Sequence, residues 1–159
     1  MTTPSTHRQK RTAITSNVEE YLETIYRLER EKGVVRVKEI SGELGVSYAS
    51  TSEILRRMTA LELVHHERYG YVRLTDKGIS QAETIIKREE VLFRFLHTVL
   101  CLPAELASSD ACRLEHEVSD CVTERLTQWI QFMEGAQEFE SLKQRFLEEA
   151  GGHRCVEHR

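Results

Sequence analysis

Residues 36–63 read RVKEISGELGVSYASTSEILRRMTALEL, and no other stretch constrains the fold as tightly. Its first part places Ile40 and Leu44 on one face of a short helix. Its last part places Ile54, Leu55, Met58 and Leu61 on one face of a second. Gly45-Val46-Ser47 lies between them as a tight turn, so the stretch predicts a helix-turn-helix. Upstream, Val18, Tyr21, Leu22, Ile25 and Leu28 repeat with the 3.6-residue period, which predicts a helix over 17–31 capped by Ser16 or Asn17. Downstream, LVHHERYGYVRLT sets two strand-like runs around Arg68-Tyr69-Gly70, a hairpin signal. Helix, helix-turn-helix and hairpin together predict a winged helix.

A helix-turn-helix puts the start of its second helix in the major groove of DNA. Here that start is mostly small: Ser47, Ala49, Ser50 and Thr51 allow close approach to bases and phosphates. Arg56 and Arg57 follow one turn later and suit the phosphate backbone, while Lys38, Arg68 and Arg73 suit the flanks. Few long polar side chains stand at the helix start, so shape and methyl contacts are expected to carry much of the readout. A winged helix also serves as a protein-binding module. Charge favours DNA: residues 1–78 hold 13 Lys+Arg against 11 Asp+Glu, whereas residues 79–159 hold 9 against 15.

The second half carries acids where apolar side chains are expected. TDKGISQAETIIKREEVLFRFLHTVL reads as one long helix after a Thr75 cap, with a stripe of Ala82, Ile85, Ile86, Leu92, Phe93, Leu96 and Val99. The position bridging that stripe is 89, and it is Glu89. A second helix over about 110–134 carries Val118, Val122, Leu126, Trp129 and Met133, with Glu115 in register and Cys112 one turn earlier. Within CRLEHEVSD, Cys112, Glu115 and His116 stand at i, i+3 and i+4, on one helical face. A buried charge is costly unless paired or metal-bound, so the cluster points to a metal site. Each residue has a plainer reading: Glu89 paired with an arginine, Cys112 a small core residue, His116 a surface imidazole. Likewise Glu20 fits a capping box begun by Asn17, and Glu23 a solvated charge. HEVSD also falls one residue short of a His-Glu-x-x-His zinc-hydrolase motif, with Asp120 in the second histidine's place.

The chain of 159 residues has no apolar run long enough to span a bilayer. Its beginning, MTTPSTHRQKRTAITS, lacks the apolar core of a secretory signal. Four cysteines in a chain of this size suit reduced thiols and a cytoplasmic setting. The expected organisation is a loose basic arm over 1–15, a winged helix over 16–78, an all-α domain over 79–150 and a flexible tail, GGHRCVEHR, over 151–159.

The order of these pieces resembles the diphtheria-toxin-repressor family of metal-dependent bacterial transcription regulators, including its manganese-transport-regulator branch. VEEYLETIYRLEREKG is similar to the family's first helix, VRVKEISGELGVSYASTSEILRRMTALELV to its helix-turn-helix, YGYVRLTDKG to its wing, and ACRLEHEVSD to its ligand helix. The resemblance covers about residues 14–150. It implies a mainly α protein: an N-terminal winged helix-turn-helix with a small β wing, then an all-α dimerisation and metal-binding domain. It implies a homodimer that binds palindromic operator DNA when loaded with metal and represses metal uptake, with no organic ligand. Cys112, Glu115 and His116 match the ligand helix of the iron-responsive branch, and the manganese branch carries Glu at the position of Cys112. Glu20 falls where the iron branch has methionine and the manganese branch aspartate. Glu23 matches a manganese-branch glutamate, and Glu89 replaces a histidine of both branches. Phe93 and Ser108 replace residues of an ancillary site. The thiolate favours Fe(II), with Mn(II) second; Zn(II) or Co(II) are also expected to bind. A metal-independent winged-helix regulator and a zinc hydrolase using His116 and Glu117 are the competing readings.

Overall fold

The computed structural model describes residues 14–67 and 70–150, which form two compact units meeting between Ala82 and Glu83. The first contains α1 (Ser16–Lys32), β1 (Val35–Arg36), α2 (Val37–Leu44), α3 (Tyr48–Ala60), β2 (Val64–His66) and β3 (Tyr71–Leu74). The buried face of α1 carries the expected stripe, Val18, Tyr21, Leu22, Ile25 and Leu28, and buries Thr24 as well. Its N-cap is Thr15, not Ser16 or Asn17, and Thr15 makes no side-chain capping bond. Val35, Val37, Ile40, Leu55, Met58, Leu63, Val64 and Val72 complete the core.

Gly45 closes α2 at φ 65°, a left-handed conformation that glycine adopts without a Cβ penalty, and this sets the angle into α3. The strands form one antiparallel sheet in the order β1-β3-β2, with Val35 opposite Val72 and Val64 opposite Leu74. The two-residue strand β1 is too short to announce itself by alternation. Glu29 of α1 accepts a hydrogen bond from the Leu74 amide at 3.2 Å, tying the first helix to the wing. At the start of α2, Glu39 accepts from the Arg36 amide at 2.9 Å and pairs with Lys32 at 3.2 Å. That amide first, and then Lys32, hold the Glu39 carboxyl below the usual glutamate range.

Helix α4 (Asp76–Arg94) passes from the first unit into the second. Thr75 caps it as expected, accepting from the Gly78 amide at 3.0 Å. The helix does not run unbroken to residue 100. A π-helical turn over Phe95–Val99 ends it, closed by the Leu100 amide on the Phe95 carbonyl at 3.0 Å. The expected helix over 110–134 is two helices, α5 (Ala104–Leu114) and α6 (Asp120–Glu134), followed by α7 (Phe139–Glu149). Ser119 caps α6, accepting from the Val122 amide at 3.5 Å, so the chain restarts its helical phase there. The stripe drawn across that break is corrected accordingly: Val122 and Trp129 are exposed, and Ile130 is the buried residue of α6. The molecule is mainly α with one small sheet. No helix among the described residues is long and apolar enough to cross a membrane.

Candidate metal centre and nucleic-acid interface

In the second unit, the inner face of α5 is Ala107, Ala111 and then Glu115, spaced by four residues each. Two alanines leave room for a long acid at the end of the row, and Glu115 is fully buried. It holds helical dihedrals as the C-cap, with its amide bonded to the Ala111 carbonyl at 3.0 Å. His116 follows, half-buried, with Nε2 3.6 Å from the Glu115 Oε1. An imidazole nitrogen and a buried carboxylate oxygen this close form two adjacent donors suited to a divalent cation.

The turn that presents this pair is fastened from α4. The buried Arg88 donates from Nη1 to the Glu115 carbonyl at 2.8 Å and from Nη2 to Asp120 at 3.3 Å. Position 88, not 89, bridges the buried face of α4, because that face runs through Ile85, Arg88, Val91 and Leu92. Glu89 is half-buried beside it. Reading the stripe through Ile86 and Phe93 displaced it by one residue; both are only half-buried.

The remaining expected ligands are placed as follows. Cys112 stands on the exposed side of α5, one residue beyond the buried Ala111. Among the described residues, neither Cys112 nor Glu89 joins Glu115 and His116 in a donor group with ligand atoms within 4.8 Å of one another. Glu20 and Glu23 belong to α1 in the first unit, Glu20 exposed and Glu23 half-buried. The hydrolase-like stretch 116–120 spans the break between α5 and α6. The single helical face that such a motif requires is absent, and Asp120 is engaged by Arg88.

The first unit presents the start of α3. Ser47 is its N-cap, with Oγ accepting from the Ser50 amide at 3.1 Å and lying 2.8 Å from the Ser50 Oγ. Tyr48, Ala49, Glu53, Arg56 and Arg57 are exposed along the helix. Thr51 is not available to a ligand, which corrects the expectation for it. It is fully buried, donates to the Ser47 carbonyl at 3.1 Å and lies 3.5 Å from the Tyr21 hydroxyl. Its β-branched side chain serves the packing of α3 on α1. Lys38 lines an open groove of about 690 Å³ with Arg36, Arg73, Glu39, Glu67 and Tyr71. Arg36 in that groove stacks over the Tyr71 ring and donates to its hydroxyl at 2.8 Å. Arg68 lies outside the described residues, as do the basic arm over 1–13 and the tail over 151–159. Sequence reasoning passed over Arg36, Glu53 and Arg88. Arg88 was findable, since it falls three residues after Ile85 and four before Leu92.

Two family models match the chain. The iron-dependent repressor N-terminal DNA-binding domain matches residues 13–72, and the iron-dependent repressor metal-binding and dimerisation domain matches residues 75–138. An HTH-type transcriptional regulator of Methanocaldococcus jannaschii is 32% identical over 114 residues, 71% of this chain and 91% of that protein. The HTH-type transcriptional regulator MntR of Bacillus subtilis is 30% identical over 120 residues, 76% of this chain and 84% of that protein. Among solved structures, the manganese regulator SloR aligns with a TM-score of 0.63 at 31% identity over 75% of this chain. This chain spans 55% of SloR, so it accounts for about half the length of that protein.

Proposed function

The chain belongs to the iron-dependent repressor family of metal-dependent transcriptional regulators, and on that premise we propose that it represses metal-uptake genes by binding palindromic operator DNA as an Fe(II)- or Mn(II)-loaded homodimer. The observation that carries the metal part is the buried Glu115 with His116 beside it. These two are the core of the proposed ligand set. Glu20 and Glu23 of α1, with Glu89 and Cys112, are the candidates for the remaining positions. With the exposed Cys112 left out, the set is carboxylates and imidazole, which suits Mn(II) as well as Fe(II). SloR, a manganese regulator by name, agrees with that chemistry. A bound cation would supply positive charge that draws carboxylates from both units into one arrangement. Arg88 holds the Glu115 carbonyl, so the backbone behind this donor is fixed before metal arrives.

The DNA part rests on the exposed start of α3 with Ser47, Ala49 and Ser50, and on Arg56, Arg57 and Lys38 around it. Phosphate contacts from these cations supply affinity, and metal biases the spacing of the two winged helices toward the one-turn separation that paired half-sites need. Apolar side chains exposed on α6 and α7, including Trp129, Phe132 and Phe146, suit cover by a second copy. The protein acts in the cytoplasm, where its operator is.

The test is anaerobic DNA binding by the full chain, followed by fluorescence anisotropy with Mn(II), with Fe(II) and with a chelator. Binding to a palindromic duplex is expected to rise with either metal and to fall with the chelator. Equal binding in all conditions would remove metal from the mechanism and leave a plain winged-helix regulator.

A further inference from the structure

We infer that Glu53 reads a cytosine in each operator half-site, accepting a hydrogen bond from its N4 amino group in the major groove; this rests on the DNA-binding reading above. The face of α3 turned into the protein is Thr51, Leu55 and Met58. At about 100° per residue, Glu53 lies about 160° around the helix from Leu55. It stands in the middle of the outward face, one turn after Ala49 and one turn before Arg56 and Arg57. In a helix-turn-helix this is the face that enters the groove.

Glu53 is the one acid on α3, and it is exposed. An acid here is unfavourable unless it meets a donor, because the surroundings on bound DNA are phosphates. A glutamate four residues before an arginine is the favourable order for an intrahelical pair, yet Glu53 makes no ion pair or hydrogen bond among the described residues. The Arg56 Nε instead faces the Ser52 carbonyl at 3.4 Å. The carboxylate is therefore not consumed within its own helix.

Its neighbours narrow the reading further. Thr51 is buried, Ser47 and Ser50 face one another at 2.8 Å, and Ala49 offers a methyl group. Glu53 is thus the long polar side chain within reach of base edges in the first two turns. A carboxylate only accepts. In the major groove guanine presents two acceptors, thymine an acceptor and a methyl, and adenine an acceptor beside its amino group. Cytosine presents a donor alone, and it is the base that glutamate pairs with there.

The experiment is selection from a randomised duplex library by the full-length Mn(II)-loaded protein, run beside Glu53→Gln and Glu53→Ala. An exposed position makes both variants foldable, and circular dichroism checks this. The native protein is expected to select a motif with a fixed cytosine in each half. Glu53→Gln should move that position to adenine, whose amino group and N7 suit an amide. Glu53→Ala should flatten it and leave the other positions sharp, with loss of discrimination on the order of tenfold or more. A Glu53→Ala motif identical to the native one overturns the assignment, as does a change confined to a position where the native protein selects another base. Failure of the native protein to select any motif sinks the DNA-binding reading itself and takes the Glu53 assignment with it.

Discussion

Replacing Arg88 by methionine removes a guanidinium while keeping an unbranched apolar stem. The bond it loses to the Glu115 carbonyl is short, at 2.8 Å, and is shielded from water, since Arg88 is only 9% exposed. Hydrogen bonds from charged donors contribute about 1.5–3 kcal/mol. The Asp120 contact adds little, because that side chain is 46% exposed and exposed pairs contribute about 0–1 kcal/mol. Better burial of the thioether offsets part of the loss, so the expected destabilisation is about 2 kcal/mol. The effect should be local: amide exchange over residues 114–120 should speed up, while the first unit stays protected. Because the same bond steadies the Glu115 donor, Mn(II) affinity should fall by about 10–100-fold, the usual cost of losing a supporting contact around a metal ligand. Arg88→Lys restores charge without the fork and should lie between the two. Urea unfolding by far-UV circular dichroism, exchange mass spectrometry and Mn(II) calorimetry measure the three effects. An unchanged urea midpoint with unchanged exchange over 114–120 would refute the fastening role. A loosened turn with an unaltered Mn(II) isotherm would detach Arg88 from the metal site.

Gly78→Ala should destabilise the protein by about 1–3 kcal/mol despite alanine's better helix propensity. The new Cβ would meet the Leu63 carbonyl oxygen at 2.0 Å, a backbone atom that cannot swing aside; a raised urea midpoint would show that α4 can lift away at no cost. For Glu39, the folded carboxyl is depressed, so its stabilisation is complete above the unfolded glutamate value of about 4.3 and is lost as pH falls through the lower folded one. Native protein should therefore be slightly more stable than Glu39→Gln at pH 7, with the difference vanishing in acid. A gap between thermal melts that is constant from pH 7 to pH 3 would contradict this.

The winged helix was legible because its helices are amphipathic and end on glycine. Val18 through Leu28 bury as the period requires, and Gly45 takes the left-handed turn. The three-stranded sheet was only partly legible, since a two-residue strand such as β1 carries no alternation and gains its partner from long-range pairing with Val72 and Tyr71. In the second half the reading lost its phase twice. Ile85 and Ile86 are equally apolar, and choosing the wrong one put Glu89 in place of Arg88. Apolar residues continue from 118 to 133, so the break before Ser119, set by a capping hydroxyl, was invisible to periodicity. Glu115 was found for a sound reason: an acid in line with small buried residues. Thr51 was misassigned because a small hydroxyl suits a phosphate and a packed helix crossing equally well.

The π turn at Phe95–Val99 bears on how the chain tolerates changes in its length. A ring closed from residue i to i+5 holds one residue more than the α ring that precedes it. That surplus residue is accommodated without cutting the helix, and it rotates everything after it by about 100° relative to an unbroken α4. Most single-residue deletions in a helix throw its buried face toward water. Here a deletion would return the backbone to regular α geometry, so the strain of losing a residue would be relieved locally. The cost would fall instead on direction: the Leu100–Pro103 connection would start from a different side of the helix. Length and aim are therefore separable at this one turn.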